Sequence, residues 1–143
     1  MSDLRILTVT PDTAEDWRFV HNQIIPADAL SADEVAERLT RYHLEVAYAG
    51  EALVGCTTVR PPADGGPATV IVRVLAEYRH RGYGRALYAH ALLSVAPGEE
   101  IETVVWEPST EGLEFAYANG FVVEIDRYVP EGEETAYLTL RRG

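Results

Sequence analysis

The sequence is poor in cysteine: Cys56 stands alone among 143 residues. That excludes an internal disulfide and any multi-cysteine zinc site, and it agrees with a reducing compartment. Cys56 itself reads as a small apolar strand residue. Positive charge is scarce too, with 12 Lys and Arg against 23 Asp and Glu and a formal charge of −11. Such a chain cannot spread a broad basic face over phosphates, so nucleic acid is not expected as a partner. No stretch reaches the roughly 18 consecutive apolar residues of a membrane span. The first residues, Met1-Ser2-Asp3-Leu4-Arg5, lack the basic-then-apolar pattern of a signal peptide, and the expected setting is the cytoplasm, away from membranes. G-x-x-x-x-G-K-[ST] does not occur and no G-x-G-x-x-G follows the first strand-like run, which disfavours nucleoside triphosphates and dinucleotides. No constellation of metal ligands is present, so no metal is expected.

Apolar residues make up 47% of the chain, enough for one domain over residues 1–143 with a core of its own. Leu4–Thr10 is a short β-branched run that ends at Pro11. A helix follows, in which Trp17, Val20, His21 and Ile24 fall on one face before Pro26. Ser31 and Glu34 form a capping box that opens a second helix with Val35, Ala36 and Leu39 on its buried stripe. His43–Ala49 and Ala52–Arg60 predict an antiparallel hairpin around Gly50-Glu51. Ala68–Leu75 is the most β-branched run and predicts a central strand. A helix is expected from Gly82 to about Ala96, a strand at Ile101–Trp106, and a short helix capped by Ser109 or Thr110. Phe121–Val129 and Thr135–Leu140 are the last two strands. The order β-α-α-β-β-β-α-β-α-β-β describes an α/β (α+β) domain with helices flanking one mixed, mostly antiparallel sheet of about seven strands.

The chemistry concentrates between Arg73 and Arg85, where four arginines and a histidine face one acid, Glu77. A β-branched strand that breaks into a Gly-containing turn and then opens a helix leaves several backbone N–H groups without intrahelical partners. With the positive end of the helix dipole, those groups suit a phosphate or pyrophosphate. Gly82 and Gly84 permit unusual φ values and a close approach to the main chain. Arg79, Arg81 and Arg85 add attraction at longer range.

Val74-Leu75-Ala76-Glu77-Tyr78-Arg79-His80-Arg81-Gly82-Tyr83-Gly84 resembles the V-x-x-x-[YF]-[RQ]-x-x-G-x-[GA] signature of the GNAT (GCN5-related N-acetyltransferase) family. Phe115-Ala116-Tyr117-Ala118-Asn119-Gly120-Phe121 resembles that family's F-Y-x-x-x-G-F segment, and the element order matches over nearly the whole chain. The resemblance implies acetyl-CoA as co-substrate and an amine as acceptor. It implies that the amides of Arg79, His80, Arg81, Gly82, Tyr83, Gly84 and Arg85 hold the CoA pyrophosphate. The main chain of Arg73 and Val74 would pair with the pantetheine arm, Thr110 would contact the cofactor, and a homodimer is the implied assembly.

Acyl transfer to an amine needs a neutral nucleophile, a polarised thioester carbonyl and a proton for the leaving thiolate. By resemblance the backbone N–H of Val74 polarises the carbonyl. The family's acid is a tyrosine four residues before the last glycine of its second motif, and here that position is Ala116. Tyr117 lies about 100° further round a helix and reads either as a displaced acid or as a packing partner of Leu113. The family's strand carboxylate, three residues before Val74, is here Ile71. Arg73 shares the Ile71 face by strand alternation, where it would capture an acidic group of the acceptor or pair with a nearby glutamate. Glu107 is the remaining base, acting directly or through a water, or else a solvated carboxylate. His21 and His43 read as partly buried and hydrogen-bonded. Two functions follow, an N-acetyltransferase and a non-catalytic acyl-CoA-binding or regulatory domain; Ala116 and Ile71 favour the second, and the intact loop favours neither over the other.

Overall fold

A computed structural model describes residues 4–63 and 65–142. Seven strands form one sheet: β1 (Leu4–Thr8), β2 (His43–Ala49), β3 (Ala52–Arg60), β4 (Ala68–Val74), β5 (Ile101–Trp106), β6 (Phe121–Tyr128) and β7 (Tyr137–Arg142). Their spatial order is β1-β2-β3-β4-β5-β7-β6. Neighbours are antiparallel except β4 and β5. The four α-helices are α1 (Ala14–Ile24), α2 (Ala32–Leu39), α3 (Tyr83–Ala91) and α4 (Thr110–Ala118). None among the described residues is long and apolar enough to cross a membrane.

The helices divide between the two faces. On one, Trp17 and Val20 of α1 and Val35 of α2 pack on Val46 and Cys56. Burial pushes the Cys56 thiol up to about 12. Trp17 is fully buried, its Nε1 donates to the Thr57 carbonyl at 3.1 Å, and its ring stacks on that of His21. The expected capping box is present: Ser31 Oγ accepts from the Glu34 N–H and Glu34 accepts from the Ser31 N–H. On the other face, Ala91 of α3 and Ala116 of α4 join Val59, Val70, Ile101 and Leu138.

β1, β4 and β6 end one or two residues earlier than expected, at Thr8, Val74 and Tyr128, and two elements shift further. The α-helical part of α3 ends at Ala91, Leu92–Ser94 tightens to a 3₁₀ turn, and Val95 is extended. Val95 is β-branched and Ala96 precedes Pro97, which disfavours helical geometry. The last strand begins two residues later and runs on to Arg142, because Thr135 Oγ1 accepts from Trp106 Nε1 in the turn and Arg141 pairs with Glu102 across β5 at 2.7 Å. At the outer edge β6 leaves Val122, Ile125 and Tyr128 exposed.

The feature that creates the site is the parting of β4 from β5. These strands pair only at Ala68↔Ile101 and Thr69↔Glu102, and the rest of each diverges. On its other side β4 is paired with β3 from Arg60↔Thr69 to Gly55↔Val74. Gly55 leaves no spare room: a Cβ there would stand 2.5 Å from the Arg73 carbonyl oxygen and 3.0 Å from Leu87 Cδ1. Gly55→Ala is therefore expected to lower stability by about 1–3 kcal/mol, the usual cost of overpacking. Denaturant unfolding measures it, and an unchanged midpoint would show that β3 and β4 separate freely.

Candidate functional site

Between the diverging strands lies a cavity of about 470 Å³, lined by β4 from Val70 to Val74, β5 from Thr103 to Trp106, and the loop that opens α3. Strand alternation orients the backbone around it. The Ala68 N–H donates to the Glu100 carbonyl on the β5 side, whereas the Leu75 N–H donates to the Val54 carbonyl on the β3 side. Even-numbered residues of β4 thus turn their main-chain groups toward β5. Beyond Thr69 the partner strand has left, and the N–H groups of Val72 and Val74 face the gap. The Val74 carbonyl is taken by Arg79, whose Nε donates to it at 2.9 Å. The main chain of Arg73 is turned the other way, toward β3, so only its side chain reaches the cavity.

After β4 the chain makes a 3₁₀ turn at Ala76–Tyr78 and enters α3 through His80 and Gly82, both left-handed, with φ of 63° and 83°. Gly82 is the residue before the helix, so the N–H groups of Tyr83, Gly84 and Arg85 have no carbonyl partner in the preceding turn. A Cβ on Gly82 would meet open space, but the positive φ favours glycine. Gly84 has a different reason. A Cβ there would lie 3.1 Å from the Phe115 ring, so its lack of a side chain lets α4 close against α3. Glu111, on the first turn of α4, ties the loop down: its carboxylate lies 3.3 Å from Arg79 Nη1 and 3.1 Å from His80 Nε2. This tie joins residues more than 30 positions apart in sequence, and no local spacing announces it.

The cavity opens toward both faces of the sheet. Toward α3 and α4 it meets Gly82, Tyr83, Gly84, Arg85, Tyr88 and Phe115; toward α1 it meets Ile24, Ile25, Ile71, Arg73, Trp106 and Tyr137. Arg79 and His80 also line it. Arg81 reaches back over the ring of Tyr78 and donates to the Glu77 carbonyl. Thr110 lines a second, adjoining recess with Arg79 and Ser109, and Ser109 rather than Thr110 caps α4 by accepting from the Gly112 N–H. Glu107 follows β5, where it is ion-paired with Arg127. Tyr117 is 49% exposed and is not among the residues around the cavity. Tyr137 is, and burial raises its pKa, with the charges of Asp28 and Glu133 adding to the shift and Arg73 opposing it. No local pattern points to Tyr137 or Trp106, because each comes to the site through the pairing of β5 with β7.

A family model described as the Acetyltransferase (GNAT) family matches residues 7–121. The chain belongs to the GNAT acetyltransferase family. No curated protein matches it in sequence. Solved structures share the GNAT fold at low identity. The Streptococcus mutans protein smu.2055 is 20% identical, with a TM-score of 0.79 over 96% of this chain and 97% of its own. The yncA protein of Salmonella typhimurium, solved with its cofactor acetyl-CoA, is 14% identical, with a TM-score of 0.75 over 97% and 92%. NAA60 of Arabidopsis thaliana, solved with a bisubstrate analogue, is 15% identical, with a TM-score of 0.74 over 96% of each chain.

Two measurements check the geometry of this GNAT site. Gly82→Ala forces a Cβ into the left-handed region at a cost of about 1–2 kcal/mol and should weaken CoA binding by calorimetry; equal affinity would show that the loop conformation does not matter to the ligand. His21, on the buried face of α1, is lowered from 6.5 to about 4 by burial first and by the charge of Arg73 next. It is neutral when folded, and the unfolded chain gains a proton as pH falls through 6.5. Its contribution is thus fully present above 6.5 and lost between 6.5 and 4. Unfolding midpoints should fall across that window, and less steeply in His21→Gln.

Proposed function

We propose that this GNAT chain transfers an acetyl group from acetyl-CoA to a primary amine by direct attack. The parting of β4 from β5 carries the reading. It leaves the Val74 N–H in a gap that communicates with unpaired amides at the start of α3, so one extended ligand can be anchored by phosphate at one end and polarised at the other. The yncA and NAA60 structures, which share the fold and contain acetyl-CoA and a bisubstrate analogue, support the same ligand class.

In this reading the amides from His80 to Arg85 and the Arg85 side chain take the pyrophosphate; the Arg79 N–H, expected to join them, is instead given to the Ala76 carbonyl at 3.3 Å. The edge of β4 that faces the gap receives the pantetheine arm as an added strand would lie. The Val74 N–H stabilises charge that develops on the thioester oxygen, and most of the acceleration comes from orientation. Tyr137 is the tyrosine on the acceptor side of the gap, and its raised pKa keeps its hydroxyl protonated and able to donate to the leaving thiolate. Glu107 would act as base only through water, since Arg127 occupies it. A non-catalytic acyl-CoA-binding role is the second reading. Ala116 and Ile71, which stand in place of the family's tyrosine and strand carboxylate, favour it.

The deciding experiment is thermal unfolding with CoA, acetyl-CoA and NAD, followed by thiol release across an amine panel. Acetyl-CoA at about 100 times its dissociation constant should stabilise by about 2.7 kcal/mol. Stabilisation by NAD alone would sink the assignment, and acetyl-CoA binding without thiol release from any amine would favour the second reading. Tyr137→Phe should lower kcat by about 100-fold or more, the usual range for loss of a general acid, and Tyr117→Phe should lower it much less.

A further inference from the structure

All twelve basic side chains of this protein are arginines, and their partners divide them. Arg18, Arg41, Arg79, Arg127 and Arg141 are in ion pairs. Arg5, Arg81 and Arg142 donate to a carbonyl or hydroxyl oxygen. Four remain without a carboxylate or hydrogen-bond partner among the described residues: Arg38, Arg60, Arg73 and Arg85. Arg85 stands at the opening of α3, where an anionic ligand accounts for it. The other three lie together on the opposite side of the sheet. Cys56 is the cross-strand partner of Arg73, and residues 56, 58 and 60 of β3 share a face, so Arg60 and Arg73 both project toward α1 and α2. Arg38 is in the last turn of α2.

These guanidinium groups are close enough to repel one another. Burial lowers the pKa of Arg73 first, and Arg60 and Arg38 lower it further. Burial likewise lowers Arg60, and Arg38 and Arg41 add to the effect. Arg60 Nε is buried with no hydrogen-bond partner among the described residues, and its guanidinium lies over the Tyr42 ring at 5.3 Å. Asp28, in the turn after α1, is the one carboxylate whose charge opposes this repulsion at Arg60 and Arg73, and it makes no ion pair among the described residues. A chain with 23 acids and 12 bases has no shortage of carboxylates. Three unpaired cations near one another on this side of the sheet, of which Arg73 lines the cavity, therefore leave room for an anion that the protein does not itself supply.

We propose that Arg73, backed by Arg60 and Arg38, is the anion subsite of the acceptor pocket, and that the preferred acceptor is a small amine that also carries a carboxylate. This rests on the amine-acetylation reading above. Arg73 precedes Val74 on the strand, so the side chain that takes the carboxylate and the N–H that faces the reacting carbonyl are set by adjacent residues. The acid and the amine of the acceptor are correspondingly separated by a short spacer. A planar guanidinium matches a carboxylate with two parallel hydrogen bonds. Ile24, Ile25, Ile71 and Trp106 supply an apolar wall for the remainder of the molecule, and a polyamine would place a cation beside Arg73 at a cost.

The test has a kinetic arm and a binding arm. Thiol release with acetyl-CoA is measured for α-, β- and γ-amino acids and for the methyl ester of each, which retains the amine and removes the anion. The acid should exceed its ester in kcat/KM by about tenfold or more, the usual worth of a hydrogen-bonded charge. Arg73→Gln should bring the ratio close to one, and Arg73→Lys should restore part of it. Separately, calorimetry on the CoA-saturated protein compares N-acetyl amino acids with their methyl esters, which needs no turnover. Tighter binding of the acids, lost in Arg73→Gln while that variant keeps its CoA-induced thermal shift, supports the subsite even if no amine is acetylated; in that case the catalytic reading alone fails. Equal binding of acid and ester by the wild type, turnover that favours esters or diamines, or an acid preference unchanged in Arg73→Gln would each overturn the proposal.

Discussion

The parting of β4 from β5 is the constraint on which the rest of this molecule depends. Two parallel strands that stay paired would satisfy their own backbone groups and leave a plain sheet. Here they share two residue pairs and separate, so the fold forgoes several main-chain hydrogen bonds at its centre. Each part of the surroundings keeps the separation in place. Pairing with β3 holds β4 along its other side, and Gly55 allows that approach to be close. The antiparallel register with β7 holds β5. Arg79 takes up the Val74 carbonyl that the divergence exposes, and Glu111 in turn fixes Arg79 and His80. Contacts within the chain thus hold the loop geometry at His80 and Gly82, which reduces the ordering that binding must accomplish.

Charge follows the same division. The protein is strongly acidic, yet the two ends of its cavity present arginines. At one end Arg79 is partly neutralised by Glu111, and Arg85 has no ion pair among the described residues. At the other, Arg73 lines the cavity, and it and the nearby Arg60 are partly desolvated and likewise lack ion pairs among the described residues. Desolvation gives such groups a stronger interaction with a bound anion than an exposed arginine has, because less water competes. The exposed pairs, such as Arg18 with Glu15 and Arg41 with Glu37, contribute little by comparison.

Much of this is legible in the amino-acid sequence alone. The hairpin His43–Ala49 and Ala52–Arg60, the capping box at Ser31 and the strand Ile101–Trp106 follow from local periodicity and turn chemistry, and all appear with those boundaries. The arginine-glycine loop is legible because its residues are contiguous and their φ requirements are local. Residues brought together by tertiary pairing are not. Tyr137 enters the cavity because β7 pairs with β5, and Glu111 meets His80 because α4 packs on α3. Gly84 is legible as a close-approach glycine, but its contact with the Phe115 ring is not. Arg73 is legible as a side chain on the Ile71 face of its strand, and it lines the cavity. The company it keeps with Arg60 and Arg38 depends on how α2 lies across the sheet.

A sheet that divides has four edges, two outside at β1 and β6 and two inside along β4 and β5. Free strand edges invite pairing with other chains, and proteins that expose them risk aggregation. The two inner edges are recessed here, with α3 and α4 over one mouth of the notch and the end of α1 over the other. A slender, flexible molecule can lie along them, whereas a strand that belongs to another folded sheet would bring its neighbours with it. The division therefore leaves strand-pairing capacity where a slender molecule can reach it and another folded sheet cannot.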